Sequence, residues 1–174
     1  MKFNTKLLHG NKMGDANTGA TLTPVYQSSA FYQPSAEQHE KLFHNKATGF
    51  SYTRINNPTI LAFEERMTTL EGGLASVACA SGMAAITNAL LNIVTCGQEI
   101  VASTSLYGGS IDVFHDFEAF GIKTVFVDIS DVNAVEAAIN EKTRVIFAET
   151  IGNPKLDVVD LSLIHISEPT RPER

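Results

Sequence analysis

The sequence has only two cysteines in 174 residues, Cys79 and Cys96, and their spacing suggests neither a metal site nor a disulfide framework. We therefore expect two reduced thiols. Basic residues are outnumbered, because 13 lysines and arginines face 19 aspartates and glutamates, which gives a net charge of −6. No basic cluster of the kind that binds nucleic acid stands out. A small anionic ligand would therefore need a local binding site.

Long apolar runs are also missing. The first ten residues contain too short an apolar run for a signal peptide, and no later segment approaches a membrane span free of polar residues. We therefore expect a cytoplasmic protein. With 44% hydrophobic residues the chain can still bury one substantial core, and its length suggests one domain or a large piece of one.

The segment from Asn11 to Phe50 is rich in Thr, Ser, Gln and Asn and shows little sustained periodicity. We interpret residues 1–57 as an extended N-terminal arm. Disorder is the alternative, but the arm carries large apolar side chains that need cover, which a neighbouring subunit could supply. These side chains are Val25, Tyr26, Phe31 and Tyr32.

Residues 58–160 alternate between helical and strand patterns. Asn57 suits an N-cap and Pro58 the first position of a helix that Gly72-Gly73 ends. Strands are then predicted over 75–80, 99–103, 124–128 and 144–149, and helices over 83–94, 111–120 and 132–139. The last strand is of the type buried on both faces. Repeated β-α-β units predict an α/β fold with a parallel sheet.

Residues 161–174 break this alternation, because no helix follows where the pattern requires one. The stretch from Leu161 to Arg171 resembles the translated end of a transposon adapter used to prepare sequencing libraries. We therefore interpret 161–174 as a non-native tail that should be set aside before the fold is considered. A natural polar tail is the alternative.

The turns that lead from strands into helices hold the candidate sites, because ligands of open parallel sheets bind beyond the carboxyl ends of the strands. The first is Ser81-Gly82-Met83, which opens a helix with free backbone N–H groups. These groups favour an anion such as phosphate, and Gly82 permits its close approach. The alternative is an ordinary Ser-Gly turn between a strand and a helix.

Other candidates lie in three further segments. Tyr107 offers a flat ring that can stack on a flat cofactor, or that simply packs in a crevice. Asn153 could hydrogen-bond a ligand hydroxyl or cap its own turn. Arg54 and Tyr52 offer a guanidinium fork and a hydroxyl suited to phosphate oxygens, or are ordinary surface residues.

The order of these motifs resembles that of the fold-type I pyridoxal-phosphate (PLP) enzymes of trans-sulfuration and direct sulfhydrylation, the family of cysteine and methionine metabolism. The resemblance runs from about Leu8 to Asp160. It rests on TPVYQ at 23–27, YTRINNPT at 52–59, LEGG at 70–73, SGM at 81–83, LYG at 106–108 and ETIGNP at 149–154. It implies that 58–160 is the first part of a truncated, parallel-sheet PLP-binding large domain.

The resemblance also implies roles for individual residues. Gly82 and Met83 would donate backbone N–H groups to the cofactor phosphate, with Ser81 beside them. Tyr107 would stack on the pyridine ring and take part in leaving-group chemistry as a catalytic residue. Asn153 would contact the ring hydroxyl.

Tyr52 and Arg54 would act in a neighbouring subunit, since the family's Tyr-x-Arg pair reaches the phosphate across a subunit interface. The active site would then be shared within a dimer of a homotetramer. The arm would wrap around the partner.

PLP chemistry needs a Schiff-base lysine and an acid against the pyridinium nitrogen. In the family both lie beyond the position of Asp160, and Lys155 belongs to a different motif. We therefore expect the 174 residues by themselves to be inactive. For the intact enzyme the resemblance implies γ-replacement on O-acetylhomoserine by sulfide or a thiol, which gives homocysteine or methionine, as in the O-acetylhomoserine sulfhydrylases.

Two kinds of alternative stay open. Within the family, cystathionine γ-synthase and the γ-lyases compete, although Gly109 stands where many methionine γ-lyases carry cysteine. Outside it, the chain would be a truncated polypeptide without a function of its own, or a phosphate-binding module.

Overall fold

A computed structural model describes residues 2–10, 15 and 18–162 of the chain. The predicted tail therefore lies outside the described residues from position 163 onward, as do parts of the arm. The chain forms two compact units that divide between Ala78 and Cys79. In the part that the structure describes, no helix combines the length and the apolar character needed to cross a membrane.

The described residues of the first unit form three helices: α1 (Phe3–His9), α2 (Ala36–Phe43) and α3 (Pro58–Glu71). The prediction for α3 is confirmed at both ends. Asn57 Oδ1 accepts the Thr59 N–H at 2.8 Å, and Pro58 is the first helical residue. Gly72 ends the helix in the left-handed conformation at φ 64°, which a residue with a side chain rarely adopts.

The α2 helix corrects the prediction of an extended arm over 36–43. Ser35 caps it by accepting the Gln38 N–H at 3.1 Å, and Lys41 pairs with Glu37 one turn earlier at 2.7 Å. This short helix has only three apolar residues, Ala36, Leu42 and Phe43, which are too few for a sustained helical spacing in the sequence. The Ser-x-x-Gln spacing was the available signal. The α1 helix also lies within the predicted arm.

The middle of the arm is bound to its last residues, which directly precede α3. Tyr52 forms an isolated antiparallel bridge with Ala30, and the rings of Phe31 and Phe50 lie 5.7 Å apart. Of the apolar side chains that were expected to need cover, Tyr26 and Phe31 are half-buried. Val25 and Tyr32 stay exposed by 73% and 90%.

Buried Asn57 connects this arm to α3, because its amide also donates to Tyr26 O and to Thr53 Oγ1, both at 3.0 Å. Asn57→Ala removes these bonds and the helix cap, so we expect it to destabilise the whole gene product by about 2–3 kcal/mol. Urea unfolding measures the change. Asn56→Ala is the matched control, since its amide donates to Gly49 O, and should cost only about 1 kcal/mol. Equal losses would contradict the account.

The second unit alternates helices and strands, as the sequence pattern predicts. Its elements are α4 (Gly82–Ile93), β1 (Glu99–Ser103), α5 (Gly108–Asp116), a 3₁₀ turn (Phe117–Phe120), β2 (Lys123–Val127), α6 (Val132–Ala138) and β3 (Thr143–Phe147). Most boundaries fall within one or two residues of the predicted ones. The exception is α5, which starts three residues before the predicted Ile111 because its first turn accommodates Gly108 and Gly109.

The three strands form one parallel sheet in the order β2-β1-β3, which confirms the predicted α/β architecture. Val101 in the central strand lies opposite Val125 on one side and Ile146 on the other. All five residues of β1 are buried. The predicted burial of both faces of β3 is wrong, because Arg144 is exposed and the rest of the strand is only half-buried.

Phenylalanine rings dominate the core beside the sheet. Phe114 of α5 is fully buried and meets the rings of Phe117, Phe126 and Phe147 edge-on at centroid distances of 6.2, 6.1 and 5.1 Å. Ile100 and Ile122 belong to the same cluster. This packing fixes α5 against the sheet.

The strand predicted over 75–80 does not form. Leu74 and Val77 are exposed by 101% and 84%. Among the described residues this segment has no neighbouring strand, and the Ala78 N–H instead donates to Glu64 Oε1 at 2.8 Å. A short apolar run can only become a strand where a ladder partner exists.

Buried Glu99 lies at the amino end of β1, opposite the predicted binding edge. The side-chain amide of Asn140 donates to Glu99 Oε2 at 2.8 Å, and Lys123 Nζ lies 3.7 Å from Oε1. The Asn140 hydrogen bond, assisted by Lys123 and Lys142, lowers the pKa of Glu99 below its ordinary value of 4.5 against the opposing effect of burial.

The lowered pKa of Glu99 makes stability depend on pH. A carboxyl with a lowered folded pKa stabilises the fold above its ordinary value, and this contribution is lost as the pH falls through the folded pKa. We therefore expect Glu99→Gln to flatten the loss of unfolding free energy between about pH 5 and pH 3. Denaturant titrations at each pH measure it. Glu136→Gln, at an exposed position on α6, should keep the wild-type slope, and a wild-type slope in Glu99→Gln would contradict the assignment.

Candidate functional site

The N-terminus of α4 carries the predicted phosphate site. Ser81 Oγ accepts the Ala84 N–H at 3.1 Å, which leaves the N–H groups of Gly82 and Met83 without a hydrogen bond to any described residue. A Cβ added to Gly82 would meet no atom within 4 Å. Free donors, the helix dipole and open space together suit an anion.

Tyr107 precedes α5 directly, at the carboxyl end of β1. Tyr107 is 51% exposed. Its ring lies over Gly109, since a Cβ on Gly109 would come within 2.6 Å of Tyr107 Cε1. The ring can therefore lie there because residue 109 has no side chain. The exposed part of the ring is available to a flat ligand.

Glu149, the first residue of the ETIGNP motif, has no role predicted from the sequence, yet it contacts this same turn from the loop that follows β3. The Tyr107 N–H donates to both carboxylate oxygens at 3.1 Å, and Ser110 Oγ donates to Oε1 at 3.2 Å. The available signal was an acidic residue at the carboxyl end of a strand, where a neighbouring helix begins and its dipole favours negative charge.

Gly152 brings the loop that carries Asn153 against the loop that carries Tyr107. Gly152 is buried, and a Cβ there would lie 2.9 Å from Ser105 O and closer still to Ser105 Oγ. Asn153 is exposed, and none of the described residues accepts from or donates to its side chain. The amide of Asn153 is therefore free to meet a ligand.

Tyr52 and Arg54 lie in the first unit, whereas the other candidates lie in the second. The two come together, since Arg54 Cζ lies 5.3 Å from the centroid of the Tyr52 ring, a cation–π distance. Both side chains are exposed. The guanidinium is thus open to an anionic group.

The site has no cluster that suggests a metal. Over the described ranges, no three His, Cys, Asp or Glu side chains come together in a way that could hold a metal ion. Cys79 and Cys96 are free thiols.

The contact between Gly152 and Ser105 can be tested by adding a methyl group. Gly152→Ala forces the two loops apart, since Ser105 backbone cannot give way easily, and we expect about 1–3 kcal/mol of destabilisation. Urea unfolding of the whole gene product measures it. Gly108→Ala is the control, because a Cβ there meets nothing within 4 Å. Equal effects of the two substitutions would contradict the close packing.

The sequence of the chain is similar to sequences of known proteins. Residues 4–168 match the family of Cys/Met metabolism PLP-dependent enzymes. The chain is 45% identical over 164 residues to the O-acetyl-L-homoserine sulfhydrylase of Leptospira meyeri, across 94% of this chain and 37% of that protein. It is 41% identical over 165 residues to the cystathionine gamma-lyase of Bacillus subtilis, across 94% of this chain and 41% of that protein.

A solved structure is similar over nearly the whole chain. It is described as an O-acetylhomoserine (thiol)-lyase from Campylobacter jejuni and holds N'-pyridoxyl-lysine-5'-monophosphate. The TM-score is 0.87 at 31% identity, with 96% of this chain and 41% of that chain covered. The chain thus spans about two fifths of the length of these proteins.

Proposed function

Because the chain belongs to the Cys/Met metabolism PLP-dependent enzyme family, we propose that the protein replaces the γ-substituent of O-acetylhomoserine with sulfide or a thiol. The products are homocysteine or methionine. The 45% identity to the Leptospira meyeri sulfhydrylase is the observation that carries this choice of substrate.

The residues of the second unit fit PLP. The cofactor has an anionic phosphate, a flat pyridine ring and a ring hydroxyl. The unpaired N–H groups and the open space at Gly82 suit the first, the exposed ring of Tyr107 the second, and the free amide of Asn153 the third. When bound, PLP serves as the electron sink for carbanion chemistry.

We assign a role to each of these residues. Gly82 and Met83 bind the phosphate through their backbone N–H groups, and Ser81 keeps the turn closed through its bond to Ala84. Tyr107 covers the cofactor ring, and its hydroxyl holds a proton near the leaving group. Asn153 donates to the ring hydroxyl and orients the ring.

Tyr52 and Arg54 belong to the proposal as a pair that binds the phosphate in a neighbouring subunit. Their mutual contact and exposure support this role. The protein would then self-associate as a homotetramer in the cytoplasm, with active sites shared between subunits. No lysine of this chain stands in the family's Schiff-base motif, so the 174 residues alone are proposed to be inactive.

A γ-lyase is the second candidate, and cystathionine γ-synthase a third. The 41% identity to the Bacillus subtilis cystathionine gamma-lyase favours the lyase. Gly109 favours replacement, because the Tyr107 ring occupies the space that a cysteine side chain at 109 would need.

The test is to mix the whole gene product with PLP, O-acetylhomoserine and sulfide and to follow homocysteine. We expect homocysteine release, and a fall of about 100-fold in kcat for Tyr107→Phe through loss of the proton-holding hydroxyl. Tyr32→Phe, at an exposed position on the arm, should leave kcat unchanged.

Other products would overturn the assignment. Cystathionine formed from cysteine and an acylated homoserine, without homocysteine from sulfide, identifies the synthase. Cleavage of cystathionine or methionine without replacement identifies a lyase.

A further inference from the structure

We propose that Glu149 is a positioning residue for Tyr107, whose main chain it holds from the loop that follows the neighbouring strand β3. The inference rests on the proposed function, in which Tyr107 covers the cofactor ring. Glu149 itself is not expected to touch substrate or cofactor. It acts through the backbone of the residue that does.

The first argument is that both main-chain polar groups of Tyr107 are bound. Its N–H donates to both oxygens of Glu149 at 3.1 Å, and its carbonyl oxygen accepts the N–H groups of Ser110 and Ile111 at 2.9 and 3.2 Å. As the N-cap of α5, Tyr107 has no partner for its N–H within the helix. Glu149 supplies that partner.

The second argument concerns the ring. Because Tyr107 is 51% exposed, little burial fixes its ring. Its place depends on the direction in which the main chain projects it and on the space above Gly109, where a Cβ would lie 2.6 Å from Cε1. Rotation of the Tyr107 backbone would therefore move the ring away from its position above Gly109.

The third argument is that Glu149 is itself held in place. It lies two residues beyond the end of β3, it is half-buried, and it also accepts the Ser110 hydroxyl at 3.2 Å. The close approach of Gly152 to Ser105 keeps the two loops at a fixed separation. The carboxylate thus links the loop after β3 to the first turn of α5 by hydrogen bonds.

A carboxylate suits this place better than an amide. Both oxygens can accept, the bond to the N–H is charge-assisted, and the N-terminus of α5 favours negative charge. In Glu149→Gln the charge and one of the two acceptor oxygens are lost, so that the Tyr107 N–H and the Ser110 hydroxyl compete for the one remaining amide oxygen. Glu149→Gln therefore weakens the contact while side-chain size is kept.

The experiment compares Glu149→Gln with the wild-type whole gene product. The readouts are hydrogen exchange at the Tyr107 amide, the visible circular dichroism of bound PLP, and kcat and KM separately. We expect amide exchange to be about 10-fold faster, because a hydrogen bond to a charged acceptor is replaced by a weaker one to a neutral amide oxygen. We also expect kcat to fall by about 10–100-fold, because a small displacement of a reacting group is costly. KM and PLP affinity should change by less than about 3-fold, because the phosphate site on α4 is untouched.

Two control variants separate this role from general stability. Ser110→Ala loses its bond to the same carboxylate but leaves the Tyr107 N–H bound, so exchange at Tyr107 should stay within about 3-fold of wild type. Glu136→Gln removes an exposed charge on α6 and should change none of the readouts. If Glu149→Gln does not fold, Glu149→Asp retains the carboxylate but withdraws it by one methylene group, and should show the same changes more weakly.

Unchanged exchange at Tyr107 in Glu149→Gln overturns the inference, whatever happens to activity. A parallel fall in PLP affinity, thermal stability and kcat overturns it too, since that pattern marks a purely structural residue. A wild-type protein that binds no PLP overturns the proposed function instead. Exchange at Tyr107 then still decides whether Glu149 holds its main chain.

Discussion

The second unit depends on the central strand β1, which pairs in parallel with β2 on one side and β3 on the other. All five of its residues are buried, and Ile100, Val101 and Ala102 have no exposed surface. Parallel pairing makes the strands end at the same edge of the sheet. The loop after β1 and the loop after β3 consequently meet, although they are about 40 residues apart in sequence.

The two edges of the sheet use acidic residues in different ways. At the amino edge, the carboxylate of Glu99 accepts a hydrogen bond from Asn140 and pairs with Lys123. At the carboxyl edge, Glu149 accepts from the main chain of Tyr107, whose ring stays half exposed. The first arrangement provides partners for a buried charge. The second binds the backbone N–H of a residue whose side chain is exposed. This edge leaves the ring of Tyr107 accessible to a ligand.

Local signals predicted much of the fold. Asn57, Pro58 and Gly72 define both ends of α3 because capping depends on a few adjacent residues. Strands β1 to β3 follow from short apolar runs, but the run at 75–80 failed because a strand also needs a partner elsewhere in the chain. Helix α2 was not predicted because only three of its eight residues are apolar.

The candidate site was predicted only in part. The turn at Ser81 and the ring of Tyr107 were identified as features of single turns, which sequence makes visible. The bond from Tyr107 to Glu149 joins two turns 42 residues apart, and the contact of Gly152 with Ser105 joins the same two loops. Such pairings arise from the sheet order, which periodicity does not reveal.

The most direct test is a crystal structure of the whole gene product with PLP. The account predicts that the phosphate lies within hydrogen-bonding distance of the N–H groups of Gly82 and Met83, with the pyridine ring against Tyr107. A phosphate held elsewhere, or a pyridine ring remote from Tyr107, would contradict it.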